Sequence, residues 1–139
     1  MAPKKTITAV ALILVILGAG CTKPVSFKED VNPILQANCA SCHSVGGKGY
    51  TASGFSVESY EQVMKGTKFG AVIVPGASIT STLVILMEHK ADHSINMPRS
   101  TKQVAANDPF LLKWKEPVPL PLEQIEIVKT WIDQGAEDN

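Results

Sequence analysis

Cys39-Ala40-Ser41-Cys42-His43 is the stretch on which the reading of this 139-residue chain turns. On one turn of helix, thiols three residues apart share a face, and the next side chain swings to one side beneath it. That spacing suits two thioether bonds to the side groups of a haem and an imidazole ligand to its iron, the pattern of c-type haem attachment. Two other readings use the same residues. A Cys-x-x-Cys pair serves as a redox dithiol when it follows a strand and opens a helix, yet no alternating, strand-like run precedes Cys39. A closed zinc site needs four Cys or His ligands, and no second Cys pair is present.

Outward from the motif, residues 1–20 read as a targeting segment. Lys4 and Lys5 form a basic head, Ile7 to Leu17 is an almost wholly apolar run, and Gly18-Ala19-Gly20 precedes Cys21. The run is short of the ~20 residues that span a bilayer. Small residues ending in Cys resemble a bacterial lipoprotein signal, which makes Cys21 the expected site of lipidation. Gly18 stands where such signals usually carry Leu, so an ordinary cleaved signal or an uncleaved anchor also fits. With Cys21 lipidated and Cys39 and Cys42 on haem, all three cysteines are used without a disulfide.

Residues 21–25 read as a tether in which Pro24 disfavours helix, leaving 26–139 as one domain large enough for a core. Residues 21–139 carry a net charge of −2, with no basic excess to bind nucleic acid and no long charge run.

The domain reads as all-α, with about four helices. Ser26 and Glu29 have capping-box spacing, and Phe27, Val31, Ile34, Leu35 and Cys42 fall near one helical face, with Pro33 predicting a kink or a later start near Asp30. Val45 to Gly54 reads as a glycine-rich loop whose backbone can pass close to a flat cofactor. A second helix is predicted over Val57 to Lys65, capped by Ser56 and stopped by Gly66, and a third over Leu83 to His89 after a turn at Val74-Pro75-Gly76. The last runs from Pro121 to Gly135 with a stripe of Leu122, Ile125, Val128 and Ile132, flanked by Ile127 and Trp131.

Several landmarks, taken in order, resemble the small planctomycete-type cytochrome c domains. They are Ser26-Phe27, Asp30-Val31, Pro33-Ile34-Leu35, the Cys-x-x-Cys-His run, Gly54-Phe55, Ser59-Tyr60, Val74-Pro75-Gly76, Ser81 with Leu83, Met97-Pro98, and Trp131-Ile132 with Gly135-Ala136. The resemblance spans roughly residues 26 to 136. It implies a cytochrome c-like fold with the first and last helices packed together, one haem c held by thioethers at Cys39 and Cys42, proximal ligation by His43 and distal ligation by Met97. His93 is the alternative distal ligand, four residues after His89, while Met87 and Met64 are less well placed. Arg99 follows Met97-Pro98 where the family tends to have a second proline. The stretch from Arg99 to Pro119 looks inserted; its Phe110, Leu111, Leu112 and Trp114 suit a flap over the domain's own core or, second, a partner contact.

With protein ligands on both sides of the iron, only electrons pass. The expectation is a membrane-tethered monohaem electron carrier facing the periplasm, serving a redox protein partner, and not an enzyme. The alternatives are a haem sensor or an electron-entry subunit of a larger enzyme complex, and more remotely a haem-free zinc or dithiol domain.

Overall fold

The structure is a computed structural model and describes residues 23–99 and 119–139. The targeting segment, Cys21 and the aromatic residues of the inserted stretch lie outside these residues. The described part is all-α, as expected, with no strand and a single isolated bridge between Thr67 and Gly70.

The first helical run shows two of its sequence signals acting together. It opens as a π-helical turn, Phe27–Val31, and continues as α1, Asn32–Asn38, with Pro33 in the first turn of α1. Proline lacks an N–H and its ring crowds the carbonyl four residues back, so a regular α-helix cannot run through it unaltered. The wide turn absorbs that conflict. Ser26 caps the run, its Oγ accepting from the Glu29 N–H at 3.1 Å. The reciprocal contact belongs to Asp30, not Glu29: Asp30 Oδ2 accepts from the Ser26 N–H at 2.8 Å. Widening the turn by a residue shifts the box by one.

Helix α2, Ala40–His43, follows a break at Cys39, whose φ of −120° departs from helical geometry. The break corrects one expectation. Phe27, Val31, Ile34 and Leu35 are buried on the shared face, but Cys42 is exposed. A further correction concerns the glycine-rich stretch, which is not all loop: Lys48–Ser53 forms α3. Its own polar side chains brace it, Thr51 Oγ1 donating to the Gly47 carbonyl and Ser53 Oγ to that of Gly49.

Helix α4, Tyr60–Lys65, is shorter than predicted, because Ser59 rather than Ser56 provides its cap, accepting from the Gln62 N–H at 3.3 Å. Gly66 ends it at a φ of +78°. A 3₁₀ turn, Ser78–Thr80, leads into α5, Thr82–Met87, which buries Leu83, Val84 and Met87. Helix α6, Leu122–Asp133, buries Ile125, Val128, Trp131 and Ile132 as the stripe predicts. Leu122 departs from it and is 71% exposed, standing at the first turn before the helix meets its neighbours; Leu120 just outside the helix is buried instead.

The first and last helical runs pack together. Phe27, Tyr60 and Trp131 form an aromatic cluster with centroids 5.3 to 6.4 Å apart. Asn38 Nδ2 donates to Gln124 Oε1 at 3.2 Å, joining the end of α1 to the start of α6. Tyr60 Oη donates to the Ala136 carbonyl at 2.8 Å, and Trp131 Nε1 to that of Glu137 at 2.9 Å, so the aromatic ring edges are polar-satisfied.

Helix α5 ends in a left-handed residue. The Lys90 N–H bonds the Ile85 carbonyl at 3.0 Å across His89, which sits at a φ of +54°. Glycine occupies this position without strain; an L side chain costs ~1 kcal/mol there. His89 Nε2 is also buried with no hydrogen-bond partner. His89→Gly is expected to raise stability by about 1 kcal/mol in chemical denaturation, and a loss of stability would show that the imidazole makes a contact worth more than the strain.

Candidate functional site

The chain's last two motif residues take different environments because helix α2 is short and pinned at its end. The Val57 N–H donates to the His43 carbonyl at 3.0 Å, and His43 Nδ1 lies 3.2 Å from the Phe55 carbonyl. A carbonyl only accepts, so the ring proton sits on Nδ1 and Nε2 carries the lone pair. Burial holds the His43 pKa below its ordinary value despite that hydrogen bond, which acts the other way, keeping the ring neutral at neutral pH. A neutral imidazole with a carbonyl on one nitrogen and a free lone pair on the other is the form that binds a metal.

Space for such a ring comes from glycine. A Cβ on Gly49 would lie 2.6 Å from His43 Cε1 and 2.8 Å from Nε2, so α3 can pass over the imidazole only without a side chain there. Phe55 adds an edge-on contact with ring centroids 5.3 Å apart. At Gly49, which lies in α3 and not in a loop, the close backbone approach is to the histidine.

His43 faces a cavity of about 390 Å³. Cys39 and Gly49 line it together with His43; Val72, Leu83, Leu86 and Met87 contribute apolar wall, and Met97 and Leu120 also line it. Met97 reaches this position because its N–H donates to the Leu86 carbonyl at 3.1 Å, tying the loop after α5 back onto the helix. Asn96, buried beside it, closes that loop with Oδ1 accepting from the Ala91 N–H at 3.1 Å. Cys39, His43 and Met97 therefore share one cavity.

The other predicted residues stand apart. Cys42 is exposed and not on the cavity wall, and His93 is exposed, its side chain 85% accessible and 3.7 Å from the Asp92 carboxylate. Met64 packs at the edge of the core, while Met87, which sequence spacing ranks low, is buried and lines the cavity. Phe55 is the residue that residue-by-residue reading leaves unused: its backbone oxygen, not its side chain, sets the histidine, and backbone roles leave no residue-type signal.

Cys39 and Cys42 form no disulfide. Burial, with a smaller contribution from Cys42, pushes the Cys39 pKa up to about 12, opposite to the lowered value of a reactive dithiol. Among the described residues no three His, Cys, Asp or Glu side chains converge as a metal-binding group, so a closed zinc site lacks its donor set there. An apolar cavity bearing one neutral imidazole, one cysteine and one thioether instead fits the donor chemistry of a haem. Gly49→Ala is expected to displace the His43 ring, costing about 1–3 kcal/mol in chemical denaturation and shifting the His43 ring signals in an NMR spectrum; Ala at this site with both unchanged would contradict the packing.

No curated protein and no solved structure matches the chain. A family comparison does: residues 39–100, which include Cys39, Cys42, His43 and Met97, match the family model described as Planctomycete cytochrome C. The match is shorter than the span of residues 26 to 136 over which the landmarks run, and it begins at the first motif cysteine. Over residues 39–100 the chain is accordingly similar to the planctomycete-type cytochrome c family.

Proposed function

We propose that this protein is a monohaem c-type cytochrome that carries single electrons between redox partners. The observation that carries the proposal is the shared cavity: His43, with its Nε2 lone pair free, and Met97 line the same apolar space as Cys39. Haem supplies the one-electron iron couple there. Everything else is done by the chain. Cys39 and Cys42 would hold the group through thioether bonds, Cys39 from the cavity wall and Cys42 from the exposed end of the motif. His43 Nε2 would ligate the iron, and the Phe55 carbonyl sets its tautomer and orientation.

Met97, held by its N–H bond to Leu86, would supply the second protein ligand. A thioether there favours the reduced state and raises the potential. The apolar walls built by Val72, Leu83 and Met87 exclude water, so the charge change on the iron meets little reorganising solvent. With His43 and Met97 both available as protein ligands, the group would exchange electrons and would not bind substrate, the behaviour of a carrier.

Residues 1–20 direct export, and lipid on Cys21 tethers the domain to a membrane of the bacterial cell envelope on its periplasmic side. The partner is another redox protein. Three variants of protein matured with haem test the site. Cys39→Ala and Cys42→Ala are expected to leave at most one covalent bond to haem, read from the mass of the denatured chain. Met97→Ala is expected to lower the reduction potential and let the reduced protein bind carbon monoxide at neutral pH, as the parent does not. A parent that binds carbon monoxide would favour the sensor reading, and an unchanged potential in Met97→Ala would remove Met97 as ligand.

A further inference from the structure

Three consecutive residues at the C-terminal end of α6 hold two segments that are far apart in the chain. The Val25 N–H donates to Gln134 Oε1 at 2.7 Å, and the Gly76 N–H donates to the Ile132 carbonyl at 2.7 Å. Ser78 donates both its N–H and its hydroxyl to the Asp133 carboxylate, each at 2.8 Å. The point where the chain enters the domain and the turn through residues 74–79 are therefore brought to one end of the fold. The entry is pinned further: the Phe27 N–H donates to Asn139 Oδ1 at 2.8 Å, and Val25 packs against the core.

The turn carries apolar side chains on its outside. Ile79 is 81% exposed and Val74 is 45% exposed, with Pro75 exposed beside it. A scattered exposed apolar residue needs no explanation, but these stand where the tether meets the domain. Chain length then decides what they face. From Cys21 to the pinned Val25 is four residues, which reach at most ~14 Å when fully extended. Lipid on Cys21 puts that residue at the headgroup level, so the end of α6 stays within the same reach of the bilayer surface. Lys23, exposed at this end, adds a cation to the contact with anionic lipid. The motif end of the seam lies the other way, because Asn38 meets Gln124 ten residues before Gln134, about 15 Å along the helix.

We propose that the turn bearing Val74 and Ile79 rests on the lipid headgroups of the membrane that holds the tether. The domain then stands on the bilayer at the C-terminal end of α6, with the start of α6 turned away. This inference rests on the tether reading, with lipid on Cys21. Because the tether is short, the turn meets the surface at high effective concentration, and a weak apolar contact is enough to orient the domain.

The test uses the lipidated, haem-loaded chain in phosphatidylcholine vesicles that contain a nickel-chelating lipid. A nitroxide is placed by Thr80→Cys beside the turn, or by Leu122→Cys, which stands exposed at the first turn of α6. Nickel at the headgroups is expected to speed spin relaxation severalfold more at position 80 than at position 122. Val74→Ser with Ile79→Ser is expected to shrink that contrast without changing the visible spectrum. Inserting about eight Gly and Ser residues between Thr22 and Lys23 relaxes the length limit and is expected to shrink it as well.

Equal relaxation at the two positions, or more at position 122, would overturn the proposal. So would a contrast that the paired serines leave intact, which would assign the orientation to the tether alone. Spin–spin coupling between the position-80 labels of two copies, persisting on dilution in the lipid, would give the turn to a second copy of the chain and also overturn it. A mature chain cut free of residues 1–20 and carrying no lipid would instead remove the tether reading beneath the proposal, a failure read from its mass before any vesicle is made.

Discussion

The hydrogen bond from His43 Nδ1 to the Phe55 carbonyl, 3.2 Å long, is the contact on which the site depends. It decides which nitrogen keeps the lone pair, and it aims that nitrogen by tying α2 to the segment that follows α3. The second tie, from the Val57 N–H to the His43 carbonyl, makes the connection double. Between the two ties the chain must leave α2, form α3 and return within a dozen residues, passing directly over the imidazole. The missing side chain of Gly49 permits that crossing, so a backbone acceptor and a bare Cα together set the position of the imidazole.

The seam between the first and last helical runs holds this arrangement from outside. Phe27, Tyr60 and Trp131 fill it with aromatic edges, and Asn38 bonds Gln124 one residue before the break at Cys39. The helix that presents the motif is thereby fixed at the point where regular geometry stops. On the opposite side, the loop after α5 is anchored by the Met97 N–H to Leu86 and by Asn96 to Ala91, which carries the thioether to the cavity wall. The two halves of the site are built by separate ends of the domain and meet only in the tertiary fold.

How much of this was legible in the sequence follows from the kind of signal each feature leaves. The Cys-x-x-Cys-His run, Met97-Pro98, Gly66 and the stripe on α6 were readable, because they depend on residue type at fixed spacing. Helix α3 was not: its glycines lower helix propensity, and it exists because its polar side chains bond back to its own carbonyls and because the chain must cross His43 closely. The exposure of Cys42 was hidden by the non-helical Cys39 between α1 and α2, which ends the shared face that simple periodicity extends. Asp30 replaced Glu29 in the capping box because Pro33 widens the first turn, a coupling between two signals that are usually read one at a time. Met87 entered the cavity wall on the buried side of α5, where an all-apolar run gives no direction. His93, plausible by spacing alone, sits in a solvent-exposed turn.

The most direct test of the account is the visible absorption of the protein matured with c-type haem, oxidised and reduced, extended to the weak far-red band that reports sulfur ligation to ferric iron. If His43 and Met97 both ligate the iron, reduction gives sharp low-spin bands and oxidation a sulfur band that disappears in Met97→Ala. A covalently bound haem lacking that band would contradict the Met97 assignment, and a mature chain with no haem would return Cys39 and Cys42 to thiol chemistry.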